Sequence, residues 1–230
     1  LVGSEMCIRD SNNIDYDSVG VRYKGNSTFC LPNDASNQKV PYNIDINYFV
    51  GGQKVMGYKK MKLANAWMDP TFMKQVISAK IYQEYLPTGE SNLVKLFSQG
   101  NYVGMYVNDE SINKQFLDKH FDEKNGPLFK CDNIDRFCDT AGAPSAMPPN
   151  LNFLGDDSTL YYNSYDIKSD HGWTELVDLI RTIVYEFQNI DSVLNVDRTL
   201  WAFAANQTLQ NLDCYNTYYA VSYTHLRAHE

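Results

Sequence analysis

The sequence predicts an α+β protein in two lobes, a β-rich N-terminal lobe with one main helix and a helical C-terminal lobe. Three observations carry this. The first third alternates apolar and polar residues in the strand manner, and the last third repeats apolar residues at helical spacing. Between them, residues 133–170 are rich in Asp, Asn, Pro and Gly, the composition of a long surface excursion. Such a layout leaves a cleft between lobes. The chain has 230 residues, 43% hydrophobic and 21% charged, which is globular composition. No apolar run approaches the length of a membrane-spanning helix. A net charge of −8 argues against a general nucleic-acid surface.

The elements follow in chain order. Val19 to Lys24 alternates as a strand and stops at the turn cluster Gly25-Asn26-Ser27. Pro32 to Lys39 is polar and reads as a loop. Tyr42 to Phe49 alternates again, Gly51-Gly52 turns the chain, and Tyr58 to Leu63 makes a third strand. Asp69-Pro70 then opens a helix, with Asp as N-cap and Pro at the first position. Its stripe is Phe72, Val76, Ile77, Ile81 and Tyr85. Leu93 to Phe97 and Tyr102 to Val107 flank Ser98-Gln-Gly-Asn101 as a hairpin. Helical spacing returns over Asp109 to Phe121, and Pro127 to Cys131 reads as a short strand. Trp173 to Phe187 and Asp197 to Gln210 supply the final helices.

The two ends of the chain stand apart from this pattern. Leu1 as CTC is the reverse complement of a Glu230 codon, Val2 as GTG of a His229 codon, and Gly3 as GGC of an Ala228 codon. The relation continues in frame to Asp10 and Val221. One DNA segment read in both orientations, resembling a sequencing-library adapter, explains this. Residues 1–11 and 221–230 are therefore expected to be non-native. The expected organisation is a nucleotide-facing lobe over 12–132, the excursion over 133–170 and a truncated helical lobe over 171–220. Cys7 leaves with the adapter, so Cys30, Cys131, Cys138 and Cys214 remain. They lack C-x-x-C zinc spacing, and Cys131 with Cys138 could bridge across the loop.

Common site patterns are missing: neither G-x-x-x-x-G-K-[ST] nor G-x-G-x-x-G is present. His120 lies on a helix face and reads as structural. Three features remain. Arg22-Tyr-Lys-Gly-Asn-Ser27 puts two cations on one strand face beside a small-residue turn. It suits phosphate oxygens, or is a charged strand edge. Lys59-Lys60-Met-Lys62 precedes the Asp69 helix, where a lysine could reach a triphosphate, or is a solvated edge. Asp213 follows the last helix and could accept a proton or help hold a metal, or is a turn aspartate. In order, these features resemble a kinase layout without its usual signatures.

The blocks V-G-V-R-Y-K-G-N-S-T (19–28), M-K-L-A-N-A-W-M-D-P (61–70), G-N-Y-V-G-M-Y-V-N-D-E (100–110) and N-L-D-C-Y-N (211–216) resemble the CotH kinase family. L-F-K-C-D (128–132) also fits. The resemblance implies a two-lobed atypical protein-kinase-like fold. It implies a secreted, cell-surface or spore-coat enzyme using ATP and Mg2+ or Mn2+ to phosphorylate serines of protein substrates. By position, Arg22 and Lys24 begin the nucleotide-facing strand and Lys62 is the phosphate-binding lysine. Glu110 is a nucleotide- or metal-side acid, and Asp213 is the catalytic aspartate. The family continues with a His-Asn pair and a further metal-binding Asp, which this chain lacks beyond Ala220. The metal ligands are thus unassigned, and the truncated chain is expected to bind Mg-ATP weakly and to be inactive or nearly so. The alternative is a non-catalytic surface or adhesion protein on the same fold. A carbohydrate-active domain, which would need paired carboxylates in a cleft, ranks last.

Overall fold

A computed structural model describes residues 4–25, 27–37, 39–131, 149–211, 214 and 222–225. The protein is α+β, and its chain divides into two compact units. Residues 1–81 and 89–111 make the first, and residues 82–88 and 112–230 the second.

The first unit is built on strands β1 (Ser4–Arg9), β2 (Asp15–Tyr23), β3 (Tyr42–Asp45), β4 (Lys60–Ala64), β5 (Ser91–Ser98) and β6 (Asn101–Asp109). They form one sheet in the order β1-β2-β3-β4-β6-β5, with every neighbouring pair antiparallel. Alternation buries Val19, Ile44, Ile46, Leu63 and Tyr106 in one core. The hairpin joining β5 and β6 turns on Gln99 and Gly100, both at positive φ (50° and 79°), as a two-residue primed turn demands.

Two helices of this region differ from the sequence reading. Part of the polar stretch expected as a loop is helix α1 (Ser27–Asp34), with Pro32 inside it and Phe29 and Cys30 buried. Eight residues are too few to display a helical period. Helix α2 (Lys74–Gln83) begins later than expected. Asp69 does cap, accepting from the backbone N–H of Thr71 and of Lys74 at 3.0 Å each. Phe72, however, has φ 59°, which a right-handed helix cannot contain, so the helix starts beyond it. Only Val76 of the expected stripe is buried; Ile77, Ile81 and Tyr85 are exposed.

The second unit contains α3 (Lys114–Phe121), β7 (Leu128–Cys131), β8 (Tyr165–Ile167), α4 (Trp173–Tyr185), α5 (Val196–Thr208) and β9 (Ser222–His225). Asn113 caps α3 by accepting from the N–H groups of Gln115 and Phe116. The strands order as β8-β7-β9. Because β7 pairs with β8, it clusters with this unit, as does α3, whereas the sequence reading places both in a lobe reaching 132. The described part of the expected surface excursion is also less superficial than its composition suggests. Tyr161 and Tyr165 pack with Phe129, Leu176, Leu179 and Ile180 in a buried cluster. Tyr161 donates its hydroxyl proton to the Gly155 carbonyl, so a polar tip accompanies an apolar body. Cys131 is a buried thiol, and the Cys138 of the expected bridge lies outside the described residues. Among the described residues, no helix is long and apolar enough to cross a membrane.

The β1 and β9 strands fall within the end segments read as adapter-derived. Each lies at the border of its sheet, β1 beside β2 and β9 beside β7.

Candidate functional site

The register of the first sheet assembles most of the cationic residues singled out from the sequence. Arg22 on β2 lies opposite Asn43 on β3, and Asn43 opposite Lys62 on β4. Lys62 in turn lies opposite Asp109 on β6, and Asp109 opposite Ser91 on β5. Directly opposed residues of antiparallel strands share a face, so these five form one polar row across five strands. Lys24 follows Arg22 by two residues, and its N–H is held by the Pro41 carbonyl at 3.1 Å.

Asp109 is the centre of this row. Its carboxylate accepts from Ser91 Oγ at 2.9 Å and from Gln75 Nε2, on α2, at 2.6 Å. Burial pushes the Asp109 carboxyl above the usual carboxylate range. Lys24, the Ser91 hydrogen bond, Lys62 and Gln75 pull it back. The converse holds for Lys24: burial pushes its ammonium below the usual lysine range, and Asp109 counters this. The neighbouring row is a structural ion pair, Lys60 Nζ to Asp45 Oδ2 at 3.0 Å.

The sequence reading selected Glu110 and passed over Asp109. In the described structure Glu110 follows β6 directly. Its N–H donates to the Glu90 carbonyl at 2.8 Å, and its Oε2 accepts from the Glu90 N–H at 3.0 Å. This clasps the start of β5 to the end of β6. Strand periodicity gives the reason: adjacent residues of a strand point to opposite faces, so Asp109 and Glu110 diverge. Only the pairing of β4 with β6 tells which carboxylate lies across from Lys62.

Asp213 lies outside the described residues. The segment leading to it is well tied. Tyr82 donates its hydroxyl proton to Asn206 Oδ1 at 2.6 Å, and Asn211 Nδ2 donates to the same oxygen at 3.0 Å. Cys214, buried just beyond, donates its thiol proton to the Asn211 carbonyl at 3.1 Å. The His120 ring lies against Phe116, with ring centroids 4.4 Å apart and the planes tilted by 37°.

Among the described residues, no group of three or more His, Cys, Asp or Glu is placed to hold a metal ion. The row can offer cations to an anionic ligand: Arg22 is exposed, and Lys24 and Lys62 are half-buried. Among the described residues, the Asp109 carboxylate acts electrostatically on both Lys24 and Lys62.

A family model described as CotH kinase protein matches residues 21–228. No curated protein matches the chain.

Proposed function

The chain belongs to the CotH kinase family, and we propose that it works as an atypical protein kinase, transferring the γ-phosphate of ATP to serine or threonine of secreted or coat proteins. The observation that carries this reading is the polar row. Arg22 and Lys62 in one cross-strand row, with Lys24 two residues from Arg22, suit the oxygens of a polyphosphate. ATP with Mg2+ or Mn2+ supplies the transferable phosphoryl group and neutralises its oxygens.

In this reading the protein's part is positioning and electrostatics. Arg22 offers a planar fork that can grip two phosphate oxygens, and Lys62 offers a point charge. Asp109 keeps Lys24 and Lys62 on the sheet face. Asp213 accepts the proton of the attacking hydroxyl. Glu110 serves as a nucleotide- or metal-side acid and steadies the end of β6. Localisation at a spore coat or cell surface belongs to the same reading, as do non-native ends at 1–11 and 221–230. The natural reading frame beyond Ala220 tests the last point directly.

Calorimetric titration with Mg-ATP is the first test. Saturable binding is expected, weakened about tenfold or more in Arg22→Ala and Lys62→Ala, since each removes a charge-assisted contact. Phosphotransfer to a serine-rich protein should be little or none from this chain; in a chain extended along its natural reading frame it should appear, and disappear in Asp213→Asn while nucleotide binding persists. Absence of nucleotide binding would overturn the kinase reading in favour of a non-catalytic surface or adhesion protein.

A further inference from the structure

A groove of about 450 Å3 opens on the first unit, walled by Thr71, Phe72, Leu93, Tyr102 and Met105. Of the residues lining it, Lys39 alone is charged. Its ammonium sits 4.1 Å from the centroid of the Phe72 ring and 5.4 Å from that of Tyr106. Its stem fills the space over Gly104, where a Cβ would come within 3.1 Å of Lys39 Cε.

The backbone around Lys39 is pinned on three sides. Buried Asn65 donates through Nδ2 to the Lys39 carbonyl at 3.0 Å. Tyr106 donates its hydroxyl proton to the Val40 carbonyl at 3.1 Å, and the Lys39 N–H donates to Asn37 Oδ1 at 2.9 Å. This lysine is a placed cation, unlike a solvated surface lysine.

Among the described residues that line the groove, the charge is one-sided. Lys95 on β5, opposite Met105, is exposed and does not line the groove. The acid nearest in sequence to the lining, Asp69, is occupied by α2. It accepts from Thr71 N–H, Thr71 Oγ and Lys74 N–H. Because β5 is the outer strand of the sheet, the groove borders an open edge, and its volume suits one or two side chains.

We propose that this groove docks an extended acidic peptide segment, an apolar or aromatic side chain entering beside Phe72, Leu93 and Met105 while a neighbouring carboxylate meets Lys39. Charge complementarity selects the acid and the apolar wall selects its neighbour. This docking is independent of nucleotide binding at the polar row.

The test is a fluorescence-anisotropy titration of the full chain with a labelled pentapeptide carrying phenylalanine between two glutamates. Saturable binding is expected, weakening with salt. It should fall about tenfold when lysines replace the glutamates, and similarly in Lys39→Met, which keeps the stem over Gly104 but loses the charge. Lys39→Arg should restore most of the affinity. The glutamate-to-lysine exchange in the peptide needs no variant protein, so misfolding of Lys39→Met cannot decide the outcome. Equal binding of both peptides overturns the proposal. Displacement of the peptide by phenylacetate at equal concentration would instead make the groove a small-molecule site. Competitive displacement by ATP would make it part of the nucleotide site. Either result overturns the proposal, and neither depends on whether the chain is a kinase.

Discussion

Lys62 and Asp109 are direct cross-strand partners on β4 and β6, and the same carboxylate acts electrostatically on Lys24. Burial disfavours the charged form of both Lys24 and Asp109, and their mutual attraction only partly offsets it. The result is a partly desolvated polar site on one face of the sheet.

Replacing Asp109 by Asn should move Lys24 further below the usual lysine range, because the influence that raises it is gone. Titration of the lysine side chain by NMR reads this, and an unchanged Lys24 would show the two groups to be uncoupled. The pH dependence has a defined sign. Asp109 has a raised pKa in the folded state, so the folded chain binds more protons through the carboxylate range. The Asp109 contribution to stability therefore falls as pH rises from the ordinary aspartate pKa through the raised one. In Asp109→Asn that decline should vanish from denaturation curves recorded across this range.

Asn65→Ala should cost roughly 1–3 kcal/mol in urea denaturation. The buried amide donates to the carbonyls of both Thr28 and Lys39, at 2.9 and 3.0 Å, and Ala leaves both without it. A loss below about 0.5 kcal/mol would mean that water replaces the amide readily.

Phe129→Ala should destabilise the second unit by about 3–5 kcal/mol. The ring is fully buried and packs edge-on against Trp173, with centroids 5.1 Å apart. Gly172→Ala should also be costly. A Cβ there would stand 2.8 Å from Pro127 Cβ and 3.0 Å from Phe129 Cε2, at φ +140°. Thermal melts of both variants check this, and a wild-type melting temperature for Gly172→Ala would contradict the packing described.

Asp69→Ala should cost about 1 kcal/mol, the usual weight of a helix-start cap. Hydrogen bonds to Thr71 and Lys74 outweigh burial and hold the Asp69 carboxyl below its ordinary value. Its contribution is therefore present above the unfolded-state pKa and lost as pH falls through the depressed one. The variant should show a shallower loss of stability in acid than the parent chain.

Much of the first unit is legible in the sequence because its signals are local. Alternation marks β2, β3, β4 and the hairpin of β5 and β6, and Gln99-Gly100 marks the turn. The helices were less legible. α1 is too short to show a period, and α2 is delayed by the positive φ of Phe72, which nothing in that residue's chemistry announces. Tyr161 and Tyr165 were hidden in a stretch whose average composition is that of a surface loop.

By itself the sequence determined the strand-then-helix order, the cationic segments at Arg22–Lys24 and Lys59–Lys62, and the family. Tertiary structure alone decided that Asp109, rather than Glu110, lies across from Lys62. It also decided that Lys39 comes to rest on Phe72 and Tyr106 at the edge of an apolar groove. The physical reason is register. Periodicity tells which residues of one strand share a face, but the hydrogen-bonded pairing of strands distant in sequence chooses their partners.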